Sequence, residues 1–165
     1  AHFEPHTFMI NLTKPHGMGT FAHEYGHSLD YFFGTYIDQD KGNRSLSLGS
    51  STSTKFNPTD WKAGSLRFLM AKLMDSIIYK KPGENSAFYK KLKEKATSPY
   101  WIQHNEMFAR AFEQYVAFKL EKADIKNILL NKYKYDRWMY MQDADLKRVI
   151  PHMEKLITAM RSKSK

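Results

Sequence analysis

His23-Glu24-Tyr25-Gly26-His27 places two imidazoles four residues apart with a carboxylate beside the first. On a helix, positions i and i+4 lie one turn apart on the same face, so both rings can reach one metal ion. Glu24 then stands against a water bound to that ion. Two neutral imidazoles and one hard oxygen ligand suit zinc, which leaves a fourth position open to water, a catalytic arrangement. A third protein ligand is needed. Glu106 and Glu113 both lie on a later apolar segment, two helical turns apart on nearly the same face, and spacing alone does not choose between them. His104 is a further candidate ligand or proton donor. Asp30 follows His27 by three residues, within reach of a ligand imidazole or of Arg110 in a charge-assisted pair.

The elements that must position these groups can be read from periodicity. Residues 7 to 12 alternate, with Phe8, Ile10 and Leu12 on one side, as in a half-buried strand ended by Lys14-Pro15-His16-Gly17. From Thr20 the period becomes helical through Phe21, Tyr25, Leu29 and Phe32 or Phe33, and Gly34 is the expected left-handed C-cap. Residues 41 to 57, rich in serine, threonine and glycine, predict a mobile loop or weak hairpin. Asn57-Pro58 predicts a cap opening a helix through Trp61, Leu66, Leu69, Leu73 and Ile77, which stops before Pro82-Gly83. A lysine-rich helix follows over 86–96, a break at Ser98-Pro99, and an apolar helix over 105–120. Residues 131–141 are aromatic and ambiguous. Leu146, Val149, Ile150, Met153, Leu156, Ile157 and Met160 form a helical stripe behind Asp143 or Asp145, with Pro151 near its start or bending it.

These 165 residues, 42% apolar and 15% aromatic, suffice for one domain with a true core. The expected class is α+β, mainly helical, with a small N-terminal sheet, as a single domain over 1–165. No cysteine is present, which excludes a disulfide framework, and no apolar run is long enough for a membrane span. The net charge of +9 is uneven: residues 1–60 hold 4 basic and 6 acidic side chains, residues 61–165 hold 22 and 11. Such a basic half suits either a solvated lysine-rich surface or contact with nucleic acid, an anionic membrane or an acidic protein. No recognised nucleic-acid motif accompanies it. The chain opens Ala1-His2-Phe3 with neither an initiator methionine nor a signal sequence, as expected of a domain excised from a longer protein or of a processed product.

The block from Gly19 to Asp30, containing His23-Glu24-Tyr25-Gly26-His27, and the later block Glu106-Met107-Phe108-Ala109-Arg110-Ala111-Phe112-Glu113 together resemble the gluzincin metallopeptidases. The closest resemblance is to the domain family associated with large polyvalent proteins of phages and conjugative elements. More distantly, the chain is similar to anthrax lethal factor-type catalytic domains and clostridial Pro-Pro endopeptidases. The resemblance covers roughly residues 3–118. It implies a zincin-like fold with His23, His27 and Glu106 as zinc ligands and Glu24 as general base, and so selects Glu106 over Glu113. Lethal-factor-type domains carry an oxyanion-stabilising tyrosine seven residues before the third ligand; here that position is Pro99, with Tyr100 one residue later. Tyr100 is therefore the first candidate for that role, ahead of His104 and Arg110.

The implied activity is zinc-dependent hydrolysis of a peptide bond in a specific protein, such as a host regulator, in the cytoplasm of a bacterial host. The strand over 7–12 would accept an extended substrate through its backbone. The alternative is a binding module that keeps the zincin scaffold while its basic half engages nucleic acid or an acidic partner.

Overall fold

The computed structural model describes every residue except 14–16, 18, 41, 54–56, 131–134, 136 and 165. In chain order it contains β1 (His2–Glu4), β2 (Met9–Asn11), α1 (Phe21–Phe32), a π turn (Phe33–Ile37), a 3-10 turn (Pro58–Asp60) and α2 (Leu66–Ile78). There follow β3 (Tyr79–Lys81), β4 (Glu84–Asn85), α3 (Ala87–Lys95), a second 3-10 turn (Pro99–Ile102), α4 (His104–Lys122) and α5 (Asp143–Lys163). The architecture is α+β and mainly helical. Its strands form two separate antiparallel hairpins, β1 with β2 (Phe3 opposite Ile10) and β3 with β4.

The helices pack chiefly as two pairs, α1 against α4 and α2 against α5. A single apolar core joins them, with Met70, Leu73 and Ile77 of α2, Phe108 and Phe112 of α4, and Met153 and Leu156 of α5 at its centre. Apolar side chains recurring every three to four residues supply those faces, and their burial contributes about 1.5–3 kcal/mol each. No helix among the described residues is long and apolar enough to cross a membrane.

Several elements differ from the sequence expectation for local reasons. The strand expected over 7–12 is confined to Met9–Asn11, because residues 5–8 turn and Phe8 adopts a positive φ of 56°. Gly34 is not a left-handed cap: the helix runs on into the π turn, and the glycine is required by space. A Cβ there would stand 2.5 Å from the Ser45 carbonyl carbon and 2.6 Å from the Leu46 nitrogen. Asn57 and Pro58 open only a 3-10 turn, because Gly64 at φ 80° breaks the chain before Ser65 caps α2 through the Phe68 N–H. Pro82-Gly83 sits in a hairpin turn between β3 and β4 where no strand was expected. Pro151 lies inside α5 on its exposed side. Residues 14–16 of the terminator, and residues 131–134 and 136 of the aromatic segment over 131–141, lie outside the described residues.

The serine-rich loop departs most from expectation, because much of it is fastened to α1 and α4. The Asp30 carboxylate accepts hydrogen bonds from the backbone N–H and the hydroxyl of Ser47. The N–H groups of His104 and Asn105 donate to Ser51 and Gly49 carbonyls, so the loop satisfies the otherwise unpaired start of α4. Leu46 and Ser47 are fully buried. Arg67 fixes the preceding stretch: its guanidinium donates to the carbonyls of Gly34, Asp38, Asn43 and Ser45. Polar composition signalled a loop; the partners that order it come from distant helices.

Candidate metal site

Position 26 sets how closely the two helices of the site approach. A Cβ on Gly26 would meet Phe112 Cδ1 at 3.2 Å and Ala109 Cα at 3.3 Å, so the glycine lets α4 lie directly against α1. The start of α1 is closed by the segment after α4, where Leu129 and Leu130 carbonyls accept the Gly19 and Ala22 N–H groups. Within this frame His23 and His27 sit one turn apart, and their Nε2 atoms are 3.2 Å from each other. Glu106, buried in the first turn of α4, enters between them. Its Oε1 lies 3.2 Å from His27 Nε2 and its Oε2 3.6 Å from His23 Nε2. One ligand atom from each of the three residues falls within 4.8 Å of the others, a group that could hold a metal ion.

Glu113 is excluded from that group by its position. It lies behind His23, with Oε2 3.7 Å from Nδ1, the ring nitrogen facing away from Glu106, and accepts a hydrogen bond from the Tyr140 hydroxyl at 3.1 Å. A carboxylate on the rear nitrogen fixes the tautomer and orientation of a metal-ligating imidazole. Burial would lower the pKa of His23, but the hydrogen bonds and charges of Glu106 and Glu113 outweigh it and raise the group to about 9 in the metal-free protein. The same imidazoles hold the Glu106 carboxyl well below the usual carboxylate range despite its burial.

The remaining candidates divide by location. Glu24 is buried in the first turn of α1, beside His23 in the chain. Tyr100 projects from the turn just before α4 and is 44% exposed. Partial burial, then the charge and hydrogen bonding of Glu106, with a smaller contribution from Glu24, push its hydroxyl far above the ordinary tyrosine range. It is thus a neutral donor beside the site. Arg110 is buried against the ring of Trp101, 5.3 Å from its centre, and donates through Nη2 to the Trp101 carbonyl at 2.6 Å. Its Nη1 lies 3.5 Å from Glu106 Oε2, so it steadies that carboxylate from the side.

Asp30 contacts Ser47 rather than Arg110, and burial raises its pKa against the opposing hydrogen bonds of Ser47 and the charge of His27. His104 directs Nδ1 to the Ser47 carbonyl and Nε2 to the Ser53 carbonyl, at 3.0 and 2.9 Å. It holds the loop across the start of α4, with both ring nitrogens on backbone oxygens. Sequence reasoning missed Tyr140 and Gly26. The glycine lay in plain view inside the histidine motif, where a residue without a side chain at a helix contact is itself a signal of close packing.

Residues 92–164 match the family model "Large polyvalent protein-associated domain 1". The match supports the resemblance to the large polyvalent protein-associated family and does not bear on the resemblance to gluzincin peptidases. It spans α4 and α5 and therefore includes Glu106, Glu113 and Tyr140, while α1 with His23, Glu24 and His27 lies outside it. No curated protein and no solved structure matches the chain.

Proposed function

We propose that this domain is a zinc-dependent endopeptidase with a zincin-like arrangement, in which His23, His27 and Glu106 hold the metal and Glu24 is the general base. The observation that carries the reading is the spacing of the donor atoms. Zinc bonds of about 2.0–2.1 Å in tetrahedral geometry demand donor separations of roughly 3.4 Å. Here the two Nε2 atoms are 3.2 Å apart, Glu106 Oε1 lies 3.2 Å from His27 Nε2 and Glu106 Oε2 3.6 Å from His23 Nε2. One ligand atom from each residue falls within 4.8 Å of the other two, so small shifts on binding bring the set to that spacing. Two imidazoles and one carboxylate also leave a tetrahedral ion one open position, which marks a catalytic rather than a purely structural donor set.

When bound, zinc supplies Lewis acidity, bringing the pKa of water toward neutrality and polarising a carbonyl. The protein's own groups do the rest. Glu24 accepts a proton from the attacking water and returns it to the leaving amine. The Tyr100 hydroxyl, kept protonated, donates a hydrogen bond to the oxygen on which charge develops. Arg110 and Glu113 orient Glu106 and His23 from outside the donor set. β2 pairs only with β1 among the described residues, so its second edge is available to an extended peptide, in keeping with cleavage of a protein substrate.

The test is proteolysis of an unstructured peptide library by the zinc-loaded protein, read by mass spectrometry beside Glu24→Gln. The expected result is cleavage by the wild type and a rate lower by about 10²–10⁴-fold in the variant, which still binds zinc. Equal cleavage by both proteins overturns the mechanism.

A further inference from the structure

The second helix pair carries a feature that the metal site does not use. Between α2 and α5 lies a cleft of about 260 Å³ lined by Phe68, Leu69, Lys72, His152 and Lys155. Its floor is apolar and its rim cationic. Neither Lys72 nor Lys155 forms an ion pair among the described residues, and both act electrostatically on His152 together with Arg148. Burial and these cations disfavour a charged His152, and Asp75 acts in the opposite sense.

Arg148 lies one turn before His152 on α5 and outside the lining of the cleft. Its Nε donates to the Ser76 carbonyl and its Nη1 lies 2.7 Å from Asp145, but its buried Nη2 has no partner among the described residues. Among the described residues, two lysines without an ion pair and an imidazole line one concavity whose lining contains no acid, an arrangement that favours entry of an anion. The cleft belongs to the basic part of the chain, residues 61–165, whose 22 cationic side chains face 11 acidic ones.

We infer that the cleft between α2 and α5 is a binding site for a phosphoryl group, with Lys72 and Lys155 as its charged rim and His152 as a hydrogen-bond donor within it. A phosphoryl group offers several acceptor oxygens and a concentrated negative charge, the complement of ammonium and imidazole donors that line one cleft. The group can arrive as free phosphate or as the phosphodiester of a nucleic acid. The site stands apart from the metal centre, which is built on α1 and α4, and does not depend on zinc or on hydrolysis.

The test is titration of the full chain with inorganic phosphate and, separately, with a short DNA duplex at low ionic strength, following the His152 ring resonances by NMR. Lys72→Gln/Lys155→Gln is titrated alongside; both residues are exposed, so the fold is retained, and unchanged zinc stoichiometry checks it. A saturable shift of His152 with either probe, weakened at least tenfold in the double variant, is the expected result. Saturation by both probes identifies a pocket for phosphate itself, and saturation by the duplex alone identifies a phosphodiester contact whose affinity falls steeply with salt. No movement of His152 at millimolar phosphate or micromolar duplex overturns the inference. So does equal binding by wild type and double variant, which would trace any association to the overall charge of +9.

Discussion

Oε1 of Glu106 stands 3.2 Å from Nε2 of His27 across the α1–α4 contact, so the carboxylate joins the histidine pair through tertiary packing alone. If these atoms share a metal, removing the carboxylate leaves two imidazoles that hold it poorly. Glu106→Ala is expected to lose bound zinc on dialysis while the wild type keeps one equivalent, as read by elemental analysis. Glu113→Ala should lose far less, because Glu113 meets His23 at the nitrogen away from the donor set. Zinc retained by Glu106→Ala would assign the third ligand elsewhere.

The ion pairs of the metal-free site make its stability depend on pH in a defined direction. His23 binds its proton more tightly folded than unfolded, about 9 against an ordinary 6.5. Its contribution is therefore complete below about pH 6.5 and lost as the pH rises through 9. Glu106 is shifted downward, so its contribution is present above 4.5 and lost as the pH falls. The zinc-free protein should show its highest melting temperature between about pH 4.5 and 6.5 and decline toward pH 9. Because zinc requires neutral His23, binding at pH 7.5 should release about one proton, measurable by calorimetry in buffers of different ionisation enthalpy. Zinc binding without proton release would contradict the elevated His23 value.

Much of this site was legible in the sequence because its first half is local. His23, Glu24 and His27 share one helix, and a period of 3.6 converts their spacing into a common face. The choice between Glu106 and Glu113 was not legible from spacing, since both share a face of α4; it depends on where α4 starts and how far Gly26 lets it approach. The ordering of residues 47–53 was hidden for a similar reason. Their serines predict a loop, but the groups that fasten them, Asp30 and His104, are supplied by two helices remote in sequence. β1, β3 and β4 had too few residues for alternation to register, whereas β2 lies within the alternating run over 7–12.

The Tyr140–Glu113–His23 contacts predict a change in metal affinity separate from any change in fold. Tyr140 donates to Glu113, and the Gln114 side chain pairs with both the N–H and the carbonyl of Met141, which latches this segment to α4. Glu113→Gln keeps the shape of the side chain but removes its charge from the rear of His23. Zinc affinity is expected to fall about 10–100-fold, with little change in the far-ultraviolet circular dichroism of the zinc-free protein. Tyr140→Phe, which leaves the carboxylate in place, should fall less. An unchanged dissociation constant in Glu113→Gln would show that the carboxylate does not support the ligand.

Gly26 and Gly34 separate the geometry of the metal site from the integrity of the fold. At Gly34 an added Cβ would meet backbone atoms of Ser45 and Leu46 at 2.5–2.7 Å, and a crossing main chain cannot yield as a side chain can. Gly34→Ala should therefore cost more than the roughly 1–3 kcal/mol usual for overpacking and lower the melting temperature markedly, with or without zinc. At Gly26 the closest atoms, Phe112 Cδ1 and Ala109 Cα, lie at 3.2–3.3 Å, so a shift of a few tenths of an ångström between α1 and α4 relieves the contact. That shift moves Glu106 away from His23 and His27. Gly26→Ala should thus lose zinc affinity out of proportion to its loss of stability, the reverse of Gly34→Ala, when zinc titrations are compared with thermal melts of the zinc-free proteins. Equal effects on both quantities in Gly26→Ala would mean that the helix separation does not govern the site.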